Sequence, residues 1–204
     1  MRVGVVDYEA GNLRSVETAL RAIDADFVVS DRPEPLLAAD RLVFPGVGDA
    51  KAAMDVLERS GLADAVRSFF ETGKLILGIC VGSQIVLDAS EENDATCLGL
   101  VPGTARRFPG NMGLKVPHMG WNQVDNTAGH ALFDGIAPGT SFYFVHSYYP
   151  DPDHAEHRLA TTDYGITFAA GVRRENLMAV QFHPEKSGEA GLRLLGNFLA
   201  MSDE

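Results

Sequence analysis

The residue best placed to do chemistry is a cysteine between two glycines. Cys80 stands in Gly78-Ile79-Cys80-Val81-Gly82, directly after an apolar run, and this is the G-x-C-x-G form of a nucleophile elbow. An elbow exposes the sulfur at a helix N-terminus, where the helix dipole and free N–H groups favour the thiolate. The alternative is a buried core thiol with glycines that serve packing, since free cysteine is often buried. The segment alone leaves both interpretations open.

A thiol nucleophile needs a base, and a histidine follows the last apolar run. His183-Pro184-Glu185 comes directly after Met178–Phe182. His183 can take the thiol proton and later protonate a leaving amine, while Glu185 can fix the imidazole tautomer. Taken alone, the segment favours a strand-end turn with a solvated charge pair. Together with the elbow, it predicts a Cys80, His183, Glu185 triad.

A glycine-rich loop, Pro45-Gly46-Val47-Gly48, lies between a predicted strand and a predicted helix. It does not complete a dinucleotide-binding fingerprint, because Lys51 stands where the third glycine of G-x-G-x-x-G belongs. Its backbone N–H groups, with that of Val81, are candidates for an oxyanion hole, for which glycine allows cheap reorientation. A plain structural turn is the alternative.

Composition narrows the class of protein. The 204 residues, 46% of them hydrophobic, fit one domain spanning 1–204, and a net charge of -11 gives no electrostatic footprint for nucleic acid. The first apolar run is too short for a signal peptide or a membrane span, so we expect a cytoplasmic protein. Its two cysteines, Cys80 and Cys97, suggest free thiols, and we assign Cys97 to structure.

Apolar periodicity predicts the elements that position these groups. Strands are expected at Arg2–Asp7, Phe27–Val29, Arg41–Phe44, Lys74–Ile79, Phe142–Tyr148, Arg158–Thr162, Ile166–Val172 and Met178–Phe182. Helices are expected at Leu13–Ala22 (capped by Asn12), Asp49–Arg59, Leu62–Thr72, Val81–Ala89 and Gly188–Met201. This alternation predicts an α/β fold with an open, mostly parallel (mixed) sheet and helices on both faces. Asp7, Pro45 and Cys80 would meet at the carboxyl edge of the strands.

The elbow, the His183-Pro184-Glu185 turn and the Pro45–Gly48 loop resemble the class I, triad-type glutamine amidotransferases over nearly the whole chain. Four strings are more narrowly similar to the glutaminase subunits of imidazole glycerol phosphate synthase. These are Asp7-Tyr8 with Gly11-Asn12-Leu13, Lys115–Asn122, Tyr143–Tyr148 and Gln181–Ser187. The resemblance implies that glutamine is hydrolysed and that ammonia passes to a (β/α)8-barrel cyclase subunit in histidine biosynthesis, with no metal or organic cofactor.

The same resemblance implies roles for residues that spacing does not single out. Gln84 and Glu92, with backbone at Ser147 and Tyr148, would hold the amino-acid end of glutamine. Asn12, Trp121, Tyr143 and Lys186 would lie at or near the synthase interface. The chain departs from the family pattern at Glu9-Ala10 and at Ser83, and neither position touches the triad.

Other features carry less chemistry. His154 and His157 have H-x-x-H spacing but no helix signal or third ligand, which argues against a metal site. His118 and His146 are interpreted as hydrogen-bonded histidines beside the site. The acidic run 88–94 is most simply a solvated helix end. Trp121 fits a core aromatic equally well, although the glycine and asparagine beside it favour a loop.

Three rival functions share parts of this pattern. A glutaminase serving another synthase, for pyridoxal phosphate, guanylate or anthranilate, would share the triad, but Lys115–Asn122 argues against it. A silent regulatory protein on the same fold would be expected to lack a triad member, and all three are present. A cysteine peptidase or thiol hydrolase would need an open groove for a polymer, which the sequence alone does not exclude.

Overall fold

The computed structural model describes residues 1–8, 13–126 and 129–202. Its strands are β1 (Arg2–Val6), β2 (Asp26–Ser30), β3 (Arg41–Gly46), β4 (Ile76–Cys80), β5 (Ala89–Ser90), β6 (Ala95–Thr96), β7 (Gly103–Arg107), β8 (His118–Val124), β9 (Thr140–His146), β10 (Tyr148–Pro152), β11 (Arg158–Asp163), β12 (Thr167–Arg174) and β13 (Leu177–Val180). Its α-helices are α1 (Leu13–Ala22), α2 (Pro33–Leu37), α3 (Ala50–Ser60), α4 (Leu62–Glu71), α5 (Val81–Ile85) and α6 (Gly188–Ala200). Asn12, predicted to cap the first helix and to face a partner, lies outside the described residues, as does Glu9-Ala10.

The central sheet has the strand order β11-β12-β13-β4-β3-β1-β2. The five strands from β13 to β2 run parallel, whereas β12 and β11 are antiparallel, which confirms the predicted mixed, mostly parallel sheet. The chain crosses the sheet in one direction from β1 to β2 and in the other from β3 to β4. Since such crossovers are right-handed, α1 lies on the face opposite α3 and α4.

The centre of the sheet is apolar because parallel strands are covered on both faces. Every residue of β3, β4 and β13 is buried, which explains why these strands appear in the sequence as apolar runs, broken only by Arg41 at the start of β3. Gly46 pairs with Cys80 in the β3–β4 register. The ends of these strands therefore meet at the carboxyl edge, as predicted. Within the described ranges, no helix combines the length and the apolar character needed to cross a membrane.

Two smaller sheets flank this edge and were largely missed by the sequence patterns. One has the order β10-β7-β5-β6, and the other is the antiparallel β8–β9 pair, with His118 opposite His146 and Trp121 opposite Tyr143. The predicted strand Phe142–Tyr148 is in fact two elements, because β9 ends at His146 and β10 begins at Tyr148 in another sheet.

The helix predicted at Val81–Ala89 was wrong in length, since α5 ends at Ile85. A returning segment explains the early end. The carbonyls of Ile85 and Val86, which a longer helix would use internally, accept hydrogen bonds from the N–H groups of Leu98 (2.9 Å) and Leu100 (2.9 Å). Ala89 consequently belongs to a strand.

The acidic run 88–94 is not a solvated helix end. The carboxylates of Asp88, Glu91 and Glu92 accept hydrogen bonds from the backbone N–H groups of Gly103 (3.0 Å), Arg107 (2.8 Å) and Ala50 (2.8 Å), respectively. These carboxylates attach the segment to both ends of β7 and to the start of α3.

Candidate active site

The elbow cysteine ends β4 and begins α5 with a strained backbone. Cys80 has φ 54° and ψ -110°, a conformation that L-residues rarely adopt and that commonly marks functional sites. The hydroxyl of Ser83, a position where the chain departs from its family pattern, donates to the carbonyl of Cys80 at 2.7 Å. The thiol is buried among the ends of β3, β4 and β13.

The glycines beside the cysteine are required by close packing. A Cβ on Gly82 would lie 2.2 Å from the carbonyl oxygen of Phe44, and one on Gly78 would lie 2.8 Å from the Cβ of Ala179. Neither contact is possible without movement of neighbouring strands. The positive φ belongs to Cys80 itself. The two glycines of the G-x-C-x-G pattern are therefore needed because neighbouring strands pack closely against them.

His183 lies at the start of a 3₁₀ turn, Pro184–Lys186, just beyond β13. Its Nδ1 is 2.7 Å from Oε1 of Glu185, and both side chains are only 1% exposed. The backbone N–H of His183 donates to the carbonyl of Tyr143 at 2.9 Å, and the Ser187 hydroxyl donates to the carbonyl of His183 at 2.6 Å. The imidazole is thus oriented by the carboxylate and by two backbone anchors.

The electrostatics of His183 suit a proton carrier. Burial lowers its pKa, but hydrogen bonds and charge attraction from Cys80 and Glu185 outweigh burial and raise the pKa to about 9. Among the described residues, Nε2 of His183 is buried with no hydrogen-bond partner. The raised pKa includes a side-chain interaction with the sulfur of Cys80, so this ring nitrogen is the base available to the thiol.

A cavity of about 290 Å³ opens above the sulfur. It is lined by the triad cysteine and histidine and by residues of the loop after β3, of α5 and of the segment joining β9 and β10. The lining residues are Val47, Gly48, Cys80, Val81, Gln84, Glu92, Pro117, Val145, His146, Ser147, Tyr148 and His183. The four residues expected to contact glutamine, Gln84, Glu92, Ser147 and Tyr148, all belong to this lining.

Gln84 and Glu92 are held in defined orientations. Nε2 of Gln84 donates both to the carbonyl of Tyr148 (2.9 Å) and to Oε1 of Gln181 (2.9 Å). With both amide hydrogens used, Gln84 can offer a ligand only its carbonyl oxygen. Burial, followed by the charge of Asp49, raises the pKa of Glu92, against the hydrogen bond from Ala50 that lowers it.

The predicted oxyanion residues divide into two groups. Val47, Gly48 and Val81 line the cavity, whereas Gly46 is paired with Cys80 inside β3 and is not among the lining residues. Gly48 has φ +100°, which glycine tolerates and other residues rarely adopt. A Cβ on Gly46 would lie 2.0 Å from the hydroxyl of Tyr8.

Gln181 is the residue that sequence reasoning missed. It is completely buried, and its Nε2 lies 3.8 Å from Sγ of Cys80 while its Oε1 accepts from Gln84. The only signal in the sequence was its place in the family string Gln181–Ser187. A glutamine at the end of an apolar strand is predicted equally well to be a hydrogen-bonded core amide with no role in the site.

Three of the predicted interface residues form one cluster. The ring of Trp121 packs edge-on against Tyr143 with centroids 6.1 Å apart, and Nζ of Lys186 lies 6.0 Å from the Tyr143 ring centre. Trp121 is 59% exposed. It lies in β8 and not in the loop that its neighbours suggested, because pairing with β9 supplies the strand hydrogen bonds regardless of flanking glycine.

The residues assigned no role remain apart from the cavity. Within the described ranges, no group of three or more His, Cys, Asp or Glu side chains is arranged to hold a metal ion. His154 precedes a short 3₁₀ turn and His157 ends it, and their rings pack edge to face. Burial, with the charge of Asp88, raises the pKa of Cys97 to about 12, which opposes reactivity of this thiol.

Similarity to known proteins shows the protein family to which this chain belongs. Residues 4–201 match the family described as glutamine amidotransferase class-I, and the chain belongs to this family. A solved structure titled "Crystal structure of glutamine amidotransferase" aligns over 97% of each chain with a TM-score of 0.72 at 24% identity, which shows the shared fold.

Closer relatives are more specific. The protein named imidazole glycerol phosphate synthase subunit HisH of Chromobacterium violaceum is 49% identical over 208 residues, covering 98% of each chain. The HisH subunit of Desulfovibrio desulfuricans is 48% identical over 202 residues, covering 96% of this chain and 93% of its own. The similarity therefore extends over nearly the full length of both relatives.

Proposed function

We propose that this chain hydrolyses glutamine to glutamate and ammonia through Cys80, His183 and Glu185, as the glutaminase subunit of an imidazole glycerol phosphate synthase. The observation that carries the proposal is the convergence of these three side chains beneath one small cavity. The whole-length similarity to HisH subunits supports the choice of synthase. A cavity of about 290 Å³ suits a single amino acid better than the polymer of a peptidase.

In the proposed reaction, the thiolate of Cys80 attacks the carboxamide carbon of glutamine. Backbone N–H groups of Val47, Gly48 and Val81 stabilise the oxyanion, and His183 protonates the departing ammonia. A water that His183 deprotonates then hydrolyses the glutamyl thioester, which regenerates the thiol and releases glutamate. Glu185 holds the imidazole in the required tautomer throughout.

The bound glutamine would be oriented by its amino-acid end. The free carbonyl oxygen of Gln84 and the carboxylate of Glu92 are acceptors for an α-ammonium group, and the backbone at Ser147 and Tyr148 completes that end of the cavity. Binding of the amino-acid end by these groups would direct the side-chain amide toward Cys80, because the lining groups at the two ends differ in chemistry.

The proposed partner is a (β/α)8-barrel cyclase subunit that receives the ammonia. An exposed tryptophan beside a tyrosine and a lysine, close to the triad, has the composition of an interface anchor. Tyr143 links this surface to the site, since its ring centre lies 6.4 Å from that of His183. Asn12, expected on the same surface, remains a proposal outside the described residues.

The decisive experiment separates the two half-reactions. With the cyclase subunit present, Cys80→Ala should abolish synthesis of imidazole glycerol phosphate from glutamine and leave synthesis from added ammonium intact, because only the donor half uses the thiol. Loss of both activities, or retention of both, would overturn the proposed division. The isolated chain should show weak glutaminase activity that rises strongly when the cyclase carries its substrate.

A further inference from the structure

A continuous series of hydrogen bonds leads from β8 to the sulfur of Cys80. It starts at Asn122, whose Nδ2 lies 3.3 Å from Nε2 of His118. Nδ1 of His118 lies 2.9 Å from Nε2 of His146, whose Nδ1 lies 2.7 Å from the carbonyl oxygen of Tyr148. The same carbonyl accepts the amide of Gln84, which leads through Gln181 to the thiol.

The direction of these bonds follows from the atoms at the two ends. A carbonyl only accepts, so Nδ1 of His146 must carry the hydrogen that it donates to Tyr148. Nε2 of a neutral His146 then has to accept, and its donor is the Nδ1–H of His118. By the same reasoning, Nε2 of His118 accepts from the amide of Asn122.

Asn122 is itself held in the orientation that this direction requires. Its Oδ1 accepts the backbone N–H of Gln123 at 2.8 Å, and its second amide hydrogen goes to the carbonyl of Asp163 at 2.9 Å. Every hydrogen in the series is therefore assigned, provided that both imidazoles are neutral.

The surroundings keep both imidazoles neutral. His118 and His146 are 3% and 5% exposed and lie among aromatic rings, with the His118 ring stacked on Tyr164 at a centroid distance of 4.0 Å. Burial lowers the pKa of His118 to about 4. Burial also lowers the pKa of His146 to about 3, with further lowering from His118 and His183 against the raising bond to Tyr148.

We propose that His118 and His146 are positioning residues for glutamine hydrolysis, acting as a directed pair of neutral imidazoles that holds the Tyr148 carbonyl, and through it Gln84 and Gln181, against the sulfur of Cys80. The inference rests on the proposed function. His118 does not line the cavity, and His146, which does, has both ring nitrogens engaged in the series of hydrogen bonds. Their contribution is to fix one tautomer and one amide orientation at each step between β8 and the nucleophile.

The test compares two substitutions at His118, measured with the cyclase subunit bound. His118→Phe keeps a ring between Tyr164 and Phe144 but removes the donor to His146, and we expect kcat for glutamine hydrolysis to fall about tenfold, with a smaller change in KM. His118→Asn keeps an amide donor near the Nδ1 position and should recover most of the loss. Equal kcat in His118→Phe and wild type, or equal impairment in both variants, overturns the proposal.

Tyr164→Phe is the matched control for the aromatic packing. It loses the hydroxyl bond to the Lys115 carbonyl (2.9 Å) but keeps the ring stacked on His118, so kcat should stay at the wild-type value. A tenfold loss in this control would show that any small change around the His118 ring lowers kcat, and would overturn the assignment.

A readout independent of activity separates this inference from the proposed function. Ring-nitrogen NMR of ¹⁵N-histidine-labelled wild-type protein at pH 7 should show His118 and His146 neutral, each with the hydrogen on Nδ1. A hydrogen on Nε2 of His146 would overturn the pair even if glutamine is hydrolysed. Absence of hydrolysis in wild type, with the expected tautomers, would remove the proposed function and leave the pair intact.

Discussion

The cavity has two walls that are built by different physical means. The sheet wall is formed by Gly48, Cys80 and His183 and is supported by the close-packed glycines Gly46 and Gly82. Its geometry depends on backbone packing, since Cys80 has φ 54° and a Cβ on Gly82 would lie 2.2 Å from the carbonyl oxygen of Phe44. The hairpin wall is formed by His146 and Tyr148, with His118 bonded to His146 outside the lining, and its geometry depends on side-chain hydrogen bonds within an aromatic cluster.

The difference shows how one site can combine reactivity with adjustability. The sheet wall stores strain at the nucleophile and is held by close contacts that leave little freedom. The hairpin wall starts at β8, whose exposed face carries Trp121, and reaches the cavity through bonds that can lengthen or break. A signal from a partner on that face would therefore enter through the hairpin wall, while the sheet wall keeps the reacting groups fixed.

The largest expected effect tests whether proton transfer belongs to the sheet wall alone. His183→Ala should lower kcat for glutamine hydrolysis by at least about 10⁴-fold, and Glu185→Gln by less, because an orienting group costs less than the proton carrier. Steady-state kinetics with the cyclase bound would measure both. Full activity in His183→Ala would remove this residue from the mechanism. Proton transfer would then not depend on the sheet wall.

The second prediction tests the steric basis of the sheet wall. Gly82→Ala should lower the free energy of unfolding by about 3 kcal/mol, because the new Cβ would meet the Phe44 carbonyl at 2.2 Å. The control is Gly196→Ala in α6, where a Cβ meets nothing within 4 Å, and stability should stay equal or rise slightly. Urea unfolding of both variants is the measurement. Equal stability in the two would show that the elbow has more room than its geometry indicates.

The third prediction concerns the one adjustable part of the sheet wall. Gly48→Val should lower kcat, or its activation by the loaded cyclase, about tenfold or more with little change in glutamine affinity, since an oxyanion donor acts in the transition state. Gly48 is more informative than Gly46, because a Cβ at Gly48 meets open space whereas one at Gly46 would strike Tyr8. Wild-type turnover together with wild-type activation would rule out reorientation of this loop.

The smallest expected effect is on the pH dependence of the free energy of unfolding, to which the two walls contribute with opposite sign. The pKa of His183 is raised to about 9, so its contribution to stability is complete below its ordinary pKa of about 6.5 and is lost as pH rises through 9. The pKa values of His118 and His146 are lowered to about 4 and about 3, so their contribution is complete above 6.5 and is lost as pH falls toward 4.

Unfolding free energies measured from pH 4 to 9.5 would separate the two walls. Cys80→Ala should remove most of the alkaline loss, because the sulfur is a main cause of the raised pKa of His183, and should leave the acid loss unchanged. His118→Phe should reduce the acid loss only. If either variant changed both limbs equally, the walls would titrate as one unit.

The sequence by itself determined the groups that act through local backbone geometry. Cys80 between its glycines, His183 two residues before Glu185, and the apolar runs of β3, β4 and β13 are short-range patterns, and each has a physical meaning within about ten residues of chain. The mostly parallel fold follows from their alternation. Whole-chain resemblance then added Gln84 and Glu92, which spacing alone does not distinguish from their neighbours.

Tertiary structure alone decided the contacts between distant segments. The length of α5 depends on the segment that returns at Leu98, and the strand at Trp121 depends on pairing with β9. Gln181 meets Cys80 across 101 residues of chain, and His118 meets His146 across 28. A one-residue shift in register would turn such side chains to the opposite face of their strands. Contacts of this kind depend on strand register, which short patterns in the sequence do not specify.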